Sequence, residues 1–346
     1  MSNISKPLIK WYLINKRELP WRKTTDPYRI WLSEIMLQQT QVAQGLPYYL
    51  KFLEVFPSVN DLANANEEQV LKLWQGLGYY SRARNLHSTA KYVAHELNGV
   101  FPNNYSELKK LKGVGDYTAS AIASICYQEP KAVLDGNVFR VLSRLYGIDV
   151  PINSTEGQKL FSKLAQELLD KNQPDTNNQA IMEFGARHCT PKKPMCDSCI
   201  FNTRCLALKE SKVAQLPVKL KKTKIKKRYF NYIVPISNNE TSVLKKRPAK
   251  GIWASLYEFP LIEASGKITY DELLAEVVKE ELFATAYDLS LYNESPIIHK
   301  LSHQHIHAQF WIATTNEKLN DAIPLSEIEN YPVPVLIANF IKEFSL

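Results

Sequence analysis

Leu111-Lys112-Gly113-Val114-Gly115-Asp116-Tyr117-Thr118-Ala119 is the stretch on which the fold turns. Two glycines frame one apolar residue, which predicts a tight turn, and a run of small residues from Thr118 to Ala123 starts a helix directly after it. Such a hairpin aims backbone N–H groups at a phosphate with no side chain in the way. Gly-Val-Gly alone also serves as a plain helix–helix turn; Leu111 and the helix start make the reading more specific. Outward from it, Glu67–Trp74 and Gly157–Leu169 carry apolar residues at three- and four-residue spacing, with Pro and Gly between segments. The pattern is helical to about residue 210.

Two carboxylates flank the hairpin in sequence. Glu34 lies in Trp31-Leu32-Ser33-Glu34-Ile35-Met36-Leu37-Gln38-Gln39-Thr40, otherwise an apolar helix, where an acid costs stability unless something offsets it. Asp135 lies in Leu134-Asp135-Gly136-Asn137-Val138, just before the helical Val138–Gly147. Taken singly, the Asp reads as a helix N-cap and the Glu as a satisfied core acid. As a pair they suit a reaction with an oxocarbenium-like transition state, one acid protonating the leaving group and one anion stabilising a sugar cation.

Four of the five cysteines crowd into Cys189-x6-Cys196-x2-Cys199-x5-Cys205. The two-residue spacer of Cys196 and Cys199 lets both thiolates reach one centre, and the other two close a four-thiolate site. Zinc ribbons use two such knuckles and only one is present, which favours a 4Fe–4S cluster, although the chemistry alone leaves zinc open. Arg187, Lys192, Lys193 and Arg204 add positive charge around the loop. Cys126, in an apolar run, reads as a small core residue.

Charge divides the chain. Residues 1–228 hold 34 Lys and Arg against 20 Asp and Glu, while 229–346 hold 9 against 15, so the basic body is expected to face a polyanion. No run of eighteen uncharged apolar residues occurs and no secretion signal is read, so no membrane association and a cytoplasmic location are expected. Val218–Arg228, VKLKKTKIKKR, has seven basic residues in eleven and reads as a tether, either solvated or touching phosphate. Beyond it, Tyr229–Ser237, Leu256–Phe259 and His307–Thr315 are rich in aromatic and β-branched residues and read as strands, with one helix over Asp271–Phe283. The expected organisation is multidomain: a helical domain over 1–211, a linker over 212–228 and an α+β domain over 229–346.

Together these motifs resemble the helix-hairpin-helix DNA glycosylases with an iron–sulfur cluster loop, the endonuclease-III-like superfamily. Within it they are most similar to the adenine glycosylases acting on adenine opposite 8-oxoguanine. Leu19–Trp31 (LPWRKTTDPYRIW), Trp31–Val42, Gly76–Leu86 (GLGYYSRARNL), Leu111–Ala121, Leu134–Val138 and the cysteine loop match in order. The resemblance implies that Glu34 protonates N7 of a flipped adenine and that Asp135 stabilises, or transiently bonds, C1′ of the sugar, with Asn137 and Tyr117 completing the catalytic set. It implies an adenine pocket of Trp21, Arg22, Leu37 and Gln179, stacking wedges at Gln39 and Tyr79, and DNA-backbone contacts at Gly113 and Gly115. Cys189, Cys196, Cys199 and Cys205 would hold the cluster. Duplex DNA with an adenine mispair is the implied partner of a monomeric enzyme.

Bifunctional members of the superfamily carry a lysine nucleophile where Tyr117 stands, and a phenol forms no Schiff base, so monofunctional hydrolysis is implied. The second domain resembles the Nudix-like domain of the same enzymes, through Arg247-Pro248 and Gly251–Pro260. Glu276–Leu282 (EVVKEEL) has lysine and leucine where a Nudix hydrolase needs glutamate and glycine, so recognition without hydrolysis is expected. The family's lesion-reading Phe-Ser-His is here Leu301-Ser302-His303, keeping the Ser and His but not the aromatic ring. His299, His305 and His307 alternate as strand faces do.

Overall fold

The computed structural model describes residues 4–220 and 225–344. Residues 221–224 of the basic tether lie outside the described residues. The helices are α1 (Ser5–Asn15), α2 (Pro27–Leu37), α3 (Val42–Val55), α4 (Val59–Asn64), α5 (Glu67–Leu73), α6 (Ser81–Glu96), α7 (Tyr105–Leu108), α8 (Asp116–Tyr127), α9 (Gly136–Tyr146), α10 (Thr155–Leu168), α11 (Pro174–Arg187), α12 (Leu206–Lys209), α13 (Tyr270–Lys279) and α14 (Val335–Phe344). The strands are β1 (Lys226–Ser237), β2 (Thr241–Ser242), β3 (Lys245–Lys246), β4 (Tyr257–Glu258), β5 (Leu261–Ala264), β6 (Tyr287–Leu291), β7 (Ile297–Lys300), β8 (Gln304–Thr315) and β9 (Ile323–Pro324).

The described residues form two compact units, one of 4–64 with 85–220 and one of 65–84 with 225–344. The sequence division leaves 65–84 in the helical domain, whereas by packing that segment groups with the second unit. Lys226–Arg228, read as linker, begin β1 opposite Gln304–Ile306 of β8, because Arg228 finds Glu263 at 2.5 Å and the lysines keep exposed strand positions.

In the first unit, side chains start the helices. Asp26 accepts from Tyr28 N at 3.0 Å to open α2, with Pro27 behind it, and Ser154 accepts from Gly157 N at 3.0 Å to open α10. The small residues of α8 let it sit deep: Thr118 to Ile125 are all buried, and α8 packs on α2 and α11. Where α11 meets α9 only hydrogen fits, since a Cβ at Gly185 would lie 2.7 Å from Asn137 Cβ. The hairpin before α8 depends on Gly113, whose φ is +81° and whose added Cβ would fall 2.8 Å from Asn85 Cβ. Gly115, the N-cap of α8, faces open space instead.

The second unit is built on a mixed sheet. β1 runs parallel to β8 along their full length; β8 pairs antiparallel with β6 and β7, and β1 with β5 and β2. Both faces of the central strands are covered. Ile233 and Trp311 face a core with Leu273 and Val277 of α13, while Tyr232 and Phe310 turn the other way, Phe310 stacking on Phe340 of α14 at 4.0 Å.

Gly113→Ala is expected to destabilise the first unit by about 1–3 kcal/mol through left-handed strain and the Asn85 contact. Gly115→Ala, in open space, is expected to cost less than about 1 kcal/mol. Thermal unfolding of the two variants checks this; equal losses would contradict it.

Candidate active site and cluster loop

Glu34 is fixed by α2, in a run that is buried from Ile30 to Met36, and is itself only 7% exposed. Burial raises its carboxyl to about 7; hydrogen bonding with Tyr117 opposes that shift, the nearby Asp135 charge adds to it, and Arg22 opposes it. The Tyr117 hydroxyl also lies 3.3 Å from Met182 Sδ, and burial holds the phenol well above its ordinary range, so it remains an O–H donor.

Asp135 caps α9. Its Oδ1 accepts the N–H groups of Asn137 (2.9 Å) and Val138 (2.8 Å), and its Oδ2 accepts from Asn137 Nδ2 at 2.7 Å. Burial raises this carboxyl, and the three hydrogen bonds with the Arg140 charge work against the rise. Arg140 in turn fixes Asn137: its Nη2 donates to Asn137 Oδ1 (2.8 Å) and Gly185 O (2.6 Å), and its Nε donates to the Cys189 carbonyl (2.7 Å).

Arg22 is held by Glu183, a fully buried acid of α11. Glu183 Oε2 accepts from Arg22 Nη2 (2.7 Å) and Arg17 Nη2 (2.6 Å), and Oε1 accepts from Arg17 Nε (2.8 Å) and Arg17 N (3.0 Å). Burial works against the charge, yet the two guanidinium groups hold this carboxyl at about 2. The Arg22 guanidinium sits 5.4 Å from the ring centroid of Tyr12, whose hydroxyl donates to Gln179 Oε1 at 2.9 Å. The structure therefore gathers Glu34, Tyr117, Asp135, Asn137 and Arg22, with Gln179 joined through Tyr12. Trp21 packs edge-on to Tyr49 at 5.1 Å and Leu37 closes α2. Gln39, exposed in the turn that follows, has φ +59°, an uncommon backbone for a side chain. At the hairpin Lys109 and the Tyr105 hydroxyl each lie 2.5 Å from Asp116 Oδ1.

The four clustered cysteines line one recess, with Arg144 and His188 in its wall. Arg144 Nη1 lies 3.5 Å from Cys189 Sγ and donates to Thr190 O at 2.7 Å; the Phe201 N–H points to Cys199 Sγ at 3.4 Å. Burial, with the neighbouring thiols adding, raises Cys199 to about 11 and shifts Cys196 and Cys205 the same way. Among the described residues no three His, Cys, Asp or Glu side chains converge on a single ion. A cluster makes no such demand, since each thiolate bonds a different iron.

In the second unit, Leu301 N donates to Gln304 O at 2.8 Å, so Ser302 and His303 form the tip of the β7–β8 hairpin. Tyr79, half exposed with φ +49°, makes a 2.8 Å hydrogen bond to Ser302 Oγ. Both border a cleft with Arg84, Trp253, His299 and His303. His305 and His307 share one face of β8, His307 stacking on Tyr229 at 5.0 Å, and His299 lies edge-on to Trp253.

Known proteins share this layout. The model of the HhH-GPD superfamily base excision DNA repair proteins matches residues 32–167, and that of the NUDIX domain matches 231–343. An adenine DNA glycosylase of Buchnera aphidicola is 37% identical over 299 residues, covering 86% of this chain and 82% of its own. This chain belongs to the adenine DNA glycosylases. A thermostable thymine-DNA glycosylase, 28% identical, superposes with a TM-score of 0.56 over 60% of this chain and 95% of its own. An endonuclease III solved with DNA, 22% identical, shares the fold at a TM-score of 0.52 over 60% of this chain and 94% of its own.

Glu183, Arg140, Arg144 and His188 were not singled out from the sequence. Glu183 stands in Ala180-Ile181-Met182-Glu183-Phe184, an acid in an apolar helix, which is the signal that singled out Glu34. Arg140 and Arg144 stand four apart on an apolar helix, equally out of place.

Because the folded carboxyl of Glu34 lies above its ordinary value, its neutral burial is fully stabilising below about 4.5, and that contribution is lost as pH rises through about 7. Glu34→Gln is expected to remove that part of the decline and to gain stability relative to wild type at pH 8. Urea unfolding across this pH range checks the sign; a parallel decline in both proteins would contradict it.

Proposed function

We propose that this chain flips adenine out of a mispair with 8-oxoguanine or guanine in duplex DNA and removes it by hydrolysis alone, acting as a monomer in base excision repair. The observation that carries the reading is a buried Glu34 carboxyl raised to about 7 next to Asp135. A group poised near neutral pH still holds the proton a leaving base requires. Glu34 donates that proton to adenine N7, the C1′–N9 bond breaks with its electron pair leaving on the base, and Asp135 stabilises the positive charge at C1′ until water adds there and passes its proton to the Glu34 carboxylate. Asn137, held by Arg140, keeps the Asp135 carboxylate aimed. Tyr117, a phenol that stays protonated, takes no part as an amine nucleophile, which supports hydrolysis without strand cleavage.

Exposed glycine backbone at Gly113 and Gly115 suits a phosphate contact. The four cysteines fit a 4Fe–4S cluster, which when bound would brace the basic loop around Arg187, Lys192 and Lys193. In the second unit, Ser302, His303 and Tyr79 present hydrogen-bonding groups along one cleft, suited to the N7–H donor and C8 carbonyl by which 8-oxoguanine differs from guanine. Lys279 and Leu282, in place of glutamate and glycine, support a domain that reads without hydrolysing.

The test is a duplex holding adenine opposite 8-oxoguanine, under single-turnover conditions. Strand breaks are expected only after alkali, and borohydride is expected to trap no covalent complex. Glu34→Gln is expected to bind the duplex and lose about 10²–10⁴-fold in excision. The wild-type rate is expected to fall as pH rises through about 7, as the acid loses its proton. Near wild-type excision by Glu34→Gln would remove the assignment of the acid, whereas no excision by the wild type would favour a protein that only binds DNA.

Ser302→Ala with His303→Ala is expected to erode the preference for 8-oxoguanine over guanine opposite adenine, each lost polar contact being worth about 1–3 kcal/mol. Excision opposite guanine is expected to change little. An unchanged ratio of the two efficiencies would place lesion reading elsewhere, at Gln39 and Tyr79.

A further inference from the structure

The residue before the first cysteine of the loop is a histidine whose ring nitrogen Nε2 has no partner among the described residues, the Met195 backbone being the hydrogen-bonding group that faces the ring. His188 ends α11 and is only 6% exposed. Its ring is clamped, stacked on Phe184 at 5.0 Å and edge-on to Trp11 at 5.9 Å. Its backbone is pinned as well: the N–H donates to Phe184 O at 2.9 Å and the carbonyl accepts from Met195 N at 3.1 Å. Among the described residues the buried Nε2 has no hydrogen-bond partner. The same ring lines the recess shared by Cys189, Cys196, Cys199 and Cys205.

Burying a polar atom without a partner is unfavourable, and so fixed a ring has no freedom to find one. We propose that the partner is the inorganic core held by the four cysteines, and that His188 donates Nε2–H to one of its sulfur atoms. The proposal rests on the cluster reading above. The recess already directs two donors at thiolates, Phe201 N–H to Cys199 and Arg144 to Cys189. An anionic, sulfur-rich core supplies acceptors for a hydrogen on Nε2. Hydrogen bonds to cluster sulfur withdraw electron density and raise the reduction potential, so His188 is assigned as a tuning residue that bonds no iron.

The full-length chain, purified without oxygen as wild type, His188→Leu and His188→Gln, tests this. Iron and acid-labile sulfide analysis comes first; their absence from wild type would overturn the cluster reading while leaving the carboxylate site untouched. In loaded protein, mediated redox titration and resonance Raman spectra of the Fe–S stretches in H2O and D2O report on the bond itself. His188→Leu is expected to load as wild type does, to have a lower reduction potential and to show a smaller deuterium shift. His188→Gln, which retains an N–H donor, is expected to fall between. Loaded His188→Leu with wild-type potential and deuterium shift would overturn the proposal. Loss of iron from both variants would overturn it too, making the ring a wall of the recess instead of a donor.

Discussion

A carboxyl group buried in the middle of an apolar helix constrains everything around it. Glu34 has an arginine within electrostatic reach, but that arginine is already committed: Arg22 gives one arm to Glu183 and the other to the Arg17 carbonyl. Two acids therefore sit in one basic neighbourhood with opposite fates. Glu183 takes both guanidinium groups and is held at about 2, while burial drives Glu34 to about 7. Separation of paired carboxyls by environment is what lets one serve as acid while another remains an anion.

The sequence carried much of this site, and the reasons are local. Gly113 had to be glycine because of its positive φ; Asp135 sits two and three residues from the N–H groups it caps; the cysteines lie within a short loop. Each of those demands is written within a few residues. Glu183 was not read, because its partners are Arg17 and Arg22, far away in the chain, and only the packing of α11 brings them together. Arg140 was hidden for the same reason, its ligands being Gly185 and Cys189. The grouping of 65–84 with the second unit was equally illegible: Lys72 caps carbonyls of Glu329 and Tyr331, and Gln75 accepts from Val333 N at 3.2 Å.

Within the second unit, that segment gives the cleft its character. Gly76, Gly78 and Tyr79 all adopt positive φ, and Trp253 and Ser255 do the same on the loop opposite. A side chain held in that conformation persists only where its surroundings over-determine it. Tyr79 is held by its bond to Ser302, and Trp253 is buried against Phe230. Where the departure from Phe-Ser-His leaves Leu301, the cleft retains aromatic surface from Tyr79 and Trp253.

The protonation state of one side chain, Glu34, is open to direct observation. Side-chain carboxyl NMR of glutamate-labelled protein, titrated from pH 4 to 9 in wild type and in Glu34→Gln, reads it without reference to catalysis. One glutamate carboxyl titrating near pH 7 in wild type and missing from the variant is the expected result. A Glu34 carboxyl that titrates in the ordinary range near 4.5 would contradict the account, because the group would then be ionised at neutral pH and have no proton to give.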